Sequence, residues 1–129
     1  MTKKTVLIVD DSLTVRQQLS LVLTSAGYQL IEARDGSEGM DAVRAHKEIS
    51  VILCDLNMPR MNGLEFLESI KGEDAGLRVP VVMLTTEGSS DLIARAKLAG
   101  AKGWIVKPFQ PELLLAAVRR IAGMPEPPA

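Results

Sequence analysis

Cysteine and histidine are nearly absent: Cys54 and His46 are the only ones in 129 residues. One cysteine excludes an intrachain disulfide framework and any cysteine-rich metal site. One histidine excludes a multi-histidine metal centre. Aromatic residues are scarce, with one Trp, one Tyr and two Phe, yet hydrophobic residues make up 47%. The core must therefore be aliphatic. Neither sign of charge dominates. Fifteen Lys and Arg stand against sixteen Asp and Glu, a net charge of -1, which argues against a nucleic-acid binder. Long apolar runs are missing too. The run Thr5 to Val9 stops at Asp10-Asp11, too short for the apolar part of a leader peptide. No stretch approaches the roughly eighteen apolar residues of a membrane span. These absences leave one compact, soluble, cytoplasmic domain with no membrane partner.

What is present is an alternation of two periodicities. Thr5 to Val9 is a short β-branched run, as in a strand covered on both faces. Asp10, Asp11 and Ser12 offer helix caps. Val15, Leu19, Val22, Leu23 and Ala26 recur at helical spacing, and Gly27 supplies the stop. Tyr28 to Ala33 reads as a second strand and Asp35-Gly36 as a turn. A short helix spans Ser37 to Ala45, with Met40 and Val43 inward. Ser50 to Cys54 forms a third strand, ending at Asp55, and Leu64, Leu67 and Ile70 mark a third helix. Pro80 to Leu84 is the fourth strand, followed by a helix from Ser89 to Ala99 with Leu92, Ile93 and Ala96 inward. Gly103 to Val106 is the fifth strand. Pro111 suits the first turn of a last helix, lined by Leu114, Val118 and Ile121 and ended by Gly123. Residues 1–123 form the domain, and 124–129 a proline-rich tail.

Five strands alternating with five helices imply an α/β fold, a doubly wound parallel sheet with helices on both faces. The common five-stranded order is 2-1-3-4-5. Its site lies beyond the carboxyl ends of the strands, at the switch between strands one and three. Those ends carry Asp10 and Asp11, Asp55, Thr85 and Lys107, which should converge on one rim. Three carboxylates so close repel one another unless a cation joins them. A hard divalent cation such as Mg²⁺ takes oxygen ligands and phosphate oxygens together. A hydroxyl at Thr85 and an ammonium at Lys107 suit a phosphoryl group. Other chemistries lack their parts: no GxxxxGK[ST] or GxGxxG loop is present, and no His or Cys pairs with a Ser in an acyl-transfer triad. A carboxylate nucleophile forming an aspartyl phosphate remains, with Asp55 as the candidate.

The pair Asp10-Asp11, the segment Asp55-Leu56-Asn57-Met58-Pro59-Arg60-Met61-Asn62-Gly63, the Thr85-Thr86 end and Lys107-Pro108-Phe109 together resemble a bacterial response-regulator receiver domain. The resemblance covers about Lys4 to Ala122 and is greatest to the stand-alone, chemotaxis-type (CheY-like) receivers. It implies a flavodoxin-like three-layer sandwich. It implies that Asp55 is the phosphoacceptor and Asp11 a direct Mg²⁺ ligand. Asp10 would be an acidic partner acting through metal-bound water, and Asn57 would complete the metal site with its backbone carbonyl. Thr85 would swing to a phosphoryl oxygen. Lys107 would pair first with the acceptor carboxylate and then with the phosphoryl group, and the Lys107-Pro108 peptide would be cis. Trp104 stands where the family's switch aromatic is usually Tyr or Phe. Glu87 and Asn57 fall where the family tunes the lifetime of the phosphorylated state. Thr86, the remaining switch position, reads as a small neighbour at the mouth of the site.

The function so implied is a phosphorylation-activated switch in chemotaxis or motility, not an enzyme beyond assisting its own phosphotransfer and autodephosphorylation. It would be monomeric, take its phosphoryl group from a sensor histidine kinase and present the face of helix four, strand five and helix five to a target. Alternatives are a receiver excised from a larger regulator or hybrid kinase, a phosphate sink and, remotely, a Mg²⁺-dependent phosphohydrolase. A docking module that never takes phosphate is a further class, disfavoured by the complete acidic set. Cys54 reads as an inert core thiol, His46 has no assigned function, and Met58 and Met61 support the loop after Asp55.

Overall fold

The computed structural model describes residues 4–58, 61–72, 79–86 and 90–123. In chain order the elements are β1 (Thr5–Val9), α1 (Leu13–Ser25), β2 (Gln29–Ala33), α2 (Gly36–Ala45), β3 (Ile49–Asp55), α3 (Gly63–Gly72), β4 (Val81–Thr85), α4 (Ser90–Leu98), β5 (Gly103–Val106) and α5 (Pro111–Ala122). The five strands are parallel in the order β2-β1-β3-β4-β5. This is the doubly wound α/β architecture expected from the sequence. The tail 124–129, Glu87, Pro59, Arg60 and most of the connection after α3 lie outside the described residues.

Strand alternation sorts the core into two layers. Leu7 and Val9 of β1, Ile52 and Cys54 of β3 and Val81 and Met83 of β4 pack with Met40, Phe66, Leu67 and Ala96 from α2, α3 and α4. Their alternates Val6, Ile8, Val51, Leu53, Val82 and Leu84 pack with Leu19, Leu23, Leu114 and Val118 from α1 and α5. Burying each large aliphatic side chain is worth roughly 1.5–3 kcal/mol. Those positions hold the sheet together and leave the strand ends to carry polar groups.

Local chemistry sets the element ends. Ser12 caps α1, its hydroxyl accepting the Val15 N–H at 3.3 Å. At the other end Gly27, at φ 100°, lets its N–H reach Thr24 O and the Tyr28 N–H reach Leu23 O. This Schellman closure uses the Tyr28 N–H, so β2 begins at Gln29 and not at Tyr28. Gly100, at φ 102°, closes α4 in the same way, with Ala101 N–H on Ala96 O at 2.8 Å.

Asp35-Gly36 is not the turn expected from its composition. Asp35 is the cap of α2, its carboxylate accepting the Glu38 N–H at 2.9 Å, and Gly36 is the first helical residue. Asn62 and Glu65 form a reciprocal capping box at the head of α3, at 2.9 and 3.0 Å.

Candidate functional site

Sheet register brings the polar strand ends together. Val9 pairs with Cys54, so Asp10 follows on the level of Asp55. Thr85 pairs with Val106, so Lys107 follows on the same rim. Alternation continues past the strands: Asp10 follows the parity of Ile8, Asp55 that of Leu53 and Lys107 that of Ile105, all three on the α1–α5 side. Cys54 has the opposite parity and belongs to the other layer.

The resulting contacts are short. The Lys107 ammonium donates to Asp10 Oδ2 at 2.9 Å and lies 3.3 Å from Asp55 Oδ1. The Lys107 backbone N–H donates to the Thr85 carbonyl at 2.7 Å, which fixes β5 against β4 at the rim. Asp55 Oδ1 also accepts the Asn57 N–H at 3.2 Å, and Asp10 Oδ1 accepts the Ser12 N–H at 2.9 Å. Asp10, Asp55 and Thr85 are buried, whereas Asp11, Asn57 and Thr86 are exposed. The Lys107-Pro108 peptide is cis, as expected.

Two expectations are refined. The expected pairing of Lys107 with Asp55 is present at 3.3 Å, and a closer one with Asp10, at 2.9 Å, stands beside it. Asp10 was expected to be an acidic partner acting through metal-bound water. Here it is wholly buried, with one carboxylate oxygen on the Ser12 N–H and the other on Lys107. The reason is the strand order: β1 lies beside β3, so one lysine tip reaches both strand-end carboxylates.

The residues fit a divalent cation. One carboxylate oxygen from each of Asp10, Asp11 and Asp55 lies within 4.8 Å of the others. One ammonium does not balance three carboxylates. Burial pushes the Asp55 carboxyl above its ordinary value, the Asp10 charge pushes it further, and Lys107 and the Asn57 N–H oppose. A group strained in its ionised form at the centre of an acidic cluster gains from a cation.

The remaining candidates fall around this centre. Trp104 is half-buried against the α2–α3–α4 layer, with the Lys97 ammonium 4.5 Å from its ring centroid. Thr86 lies at the mouth, lining a groove of about 520 Å³ with Lys107, Pro108, Phe109, Val15 and Leu21. Met58 is buried, and Met61 packs on Gly36 so closely that a Cβ there would meet its sulfur at 2.6 Å. Cys54 is a buried core thiol, as expected, and burial, with the charges of Asp55 and Asp10, holds it well above the ordinary value. His46 caps the end of α2 beside Glu48, at 3.4 Å.

Two residues beneath the site have no role assigned from the sequence, although Gly63 ends the segment that carries the resemblance. Gly63 lies under Asp55, where a Cβ would collide with the Asp55 carbonyl oxygen, with Met83 Cε at 2.6 Å and with Leu56 Cα at 2.8 Å. Arg16, buried on α1, donates to the Asp10 carbonyl at 2.7 Å. A helical repeat hides the second, because its partner is a backbone oxygen.

Comparison with known proteins places these features in one family. The family model described as the response regulator receiver domain matches residues 6–119. A chemotaxis protein CheY homolog of Campylobacter jejuni is 36% identical over 118 residues, covering 91% of each chain. The crystal structure of chemotaxis protein CheY4 of Vibrio cholerae superposes with a TM-score of 0.87 at 40% identity, covering 93% of this chain and 99% of that one. The phosphate regulon transcriptional regulatory protein PhoB of Pseudomonas aeruginosa is 32% identical over 121 residues, covering 94% of this chain and 52% of its own. Domains of this kind are signalling modules, not classical enzymes. They work by phosphorylation, with Mg²⁺ at an acidic pocket and with histidine kinases and downstream targets as partners. By matched length, fold and relatives, this chain belongs to the response-regulator receiver family.

Proposed function

We propose that residues 1–123 form a phosphorylation-operated switch with Asp55 as the phosphoacceptor. The carrying observation is the single ammonium of Lys107 bridging Asp10 and Asp55 within a cluster of three carboxylates. Asp10, Asp11, Asp55 and the Asn57 carbonyl would hold Mg²⁺. When bound, the ion supplies positive charge to the oxygens of an incoming phosphoryl group.

The donor is the phosphohistidine of a sensor kinase. An Asp55 oxygen forms the new P–O bond as the P–N bond breaks, and the electron pair stays on the imidazole nitrogen, which is then protonated. The chain's own contribution is placement. The Asn57 N–H and Lys107 hold the Asp55 carboxylate, and Thr85 offers a hydroxyl from the end of β4. The groove between α1 and the β5–α5 loop gives the donor an apolar approach beside Lys107.

The phosphoryl group brings about -2 of charge. Lys107 and Thr85 then gain a stronger partner, and this differential contact shifts the equilibrium toward the active form. Trp104 and the α4–β5–α5 face carry the change to a target. Val106 at 50% and Leu113 at 62% exposure give that face apolar anchors. Thr86 and Glu87 tune the response, and autodephosphorylation ends it. The similarity to CheY proteins favours a chemotaxis or motility role for a cytoplasmic monomer. The match to PhoB over about half of that protein favours a second reading, a receiver that belongs to a longer regulator.

Trp104, the only tryptophan, provides the test. Its fluorescence is followed while Mg²⁺ and then beryllofluoride or, in a parallel sample, acetyl phosphate are added, with Asp55→Asn as control. A Mg²⁺-dependent response that Asp55→Asn abolishes is expected. Cation binding with no later response, and no phosphate on the protein by mass, would instead support a docking module.

A further inference from the structure

Arg16 occupies a position that helix packing does not explain. The buried residues of α1 are Arg16, Leu19 and Leu23, so a guanidinium stands at the head of an otherwise leucine stripe. Burying a guanidinium is costly unless its N–H groups are met. Two of them are. Nη1 donates to the Asp10 backbone oxygen at 2.7 Å, and Nε donates to Glu32 Oε1 at 3.2 Å. Glu32 is on β2, next to β1, and its side chain is half-exposed.

Asp10 is thereby gripped at every polar atom. Its N–H reaches Ala33 O at 3.1 Å and its carbonyl accepts Arg16. Its two carboxylate oxygens accept Ser12 N–H and Lys107. The carbonyl held by Arg16 belongs to the peptide that joins Asp10 to Asp11. Its orientation sets where the next side chain, the exposed Asp11 carboxylate, can point.

We infer that Arg16, anchored by Glu32, is a positioning residue that orients the Asp10–Asp11 peptide so that both carboxylates meet one cation. This rests on the reading of the acidic cluster as a Mg²⁺ site. A planar fork suits the task, since it serves a carbonyl on one strand and a carboxylate on the next at once. Lysine can reach one of these but not both.

The test uses Mn²⁺ alone as probe, its binding followed by the loss of the free-ion electron paramagnetic resonance signal, beside urea unfolding of each variant. Arg16→Met is expected to weaken Mn²⁺ binding roughly tenfold, the scale of lost support behind metal ligands, and Arg16→Lys to recover part of it. Val118→Ala, a buried α5 position of the same layer, is expected to lower stability and leave Mn²⁺ affinity unchanged. A folded Arg16→Met that binds Mn²⁺ like the wild type overturns the inference.

Should Arg16→Met not fold, Glu32→Gln carries the test. It retains the shape of the side chain but removes the charge that anchors the guanidinium, so it is expected to weaken Mn²⁺ binding, by less than the roughly tenfold of Arg16→Met, and wild-type affinity there also overturns the inference. Wild-type protein that binds no Mn²⁺ would reject the metal site itself, a different failure visible before any variant is made.

Discussion

The ammonium of Lys107 donates a 2.9 Å hydrogen bond to the wholly buried carboxylate of Asp10. The same nitrogen is 3.3 Å from Asp55, so one lysine serves two strand ends. It braces the fold, and at the proposed metal site it would compete with the cation. Removing one partner of a buried ion pair leaves the other charge without compensation.

Lys107→Met is therefore expected to lower stability in metal-free buffer by about 2–3 kcal/mol, less than a fully buried pair would lose because the lysine keeps some contact with solvent. It is also expected to tighten Mg²⁺ binding, since a positive charge leaves the site. Urea unfolding with and without Mg²⁺ checks both. A variant that Mg²⁺ stabilises no more than it stabilises the wild type would contradict the bridging role.

Gly63 couples the core to the acceptor. A methyl group there must displace the Asp55 carbonyl, Leu56 or Met83. Gly63→Ala is expected to cost roughly 1–3 kcal/mol, as overpacking does, and to slow phosphoryl uptake at Asp55 as well. Normal stability measured by denaturant unfolding would show that the contact is easily relieved.

Tyr28 gives the fold an alkaline signature. Burial raises its hydroxyl above the ordinary 10.0, with Arg119 opposing, and the O–H donates to the Gly123 carbonyl at 2.9 Å. The folded chain holds this proton more firmly than the unfolded chain does. The contribution is complete below 10.0 and is lost as pH rises from there toward the folded value. As pH rises past 10.0 the wild type is expected to lose more stability than Tyr28→Phe. At neutral pH the variant is expected to be about 1 kcal/mol weaker. Parallel pH curves for the two proteins would contradict the assignment.

The rim of the site was legible because strands covered on both faces end abruptly in polar residues. Asp10, Asp55, Thr85 and Lys107 each follow an apolar run, and a parallel sheet brings such ends to one edge. Finer features escaped for physical reasons. Asp35-Gly36 has turn composition, and only Glu38, three residues on, signals the cap it forms. Which carboxylate Lys107 approaches more closely depends on side-chain reach across β3, which no spacing along the chain encodes. Arg16 and Gly63 act on backbone atoms, which have no residue type to recognise. Lys97 meets Trp104 only through the packing of α4 on β5.

The most direct test of the proposed switch is the intact mass of the protein after incubation with acetyl phosphate and Mg²⁺, followed by mapping of the modified residue. Wild-type protein is expected to gain one phosphoryl group, on Asp55, only when Mg²⁺ is present. Asp55→Asn is expected to gain none, while being more stable than the wild type in metal-free buffer because a buried carboxylate beside Asp10 has gone. Absence of the added mass in folded, Mg²⁺-bound wild type, or its appearance on another residue, would contradict the assignment of Asp55 as acceptor.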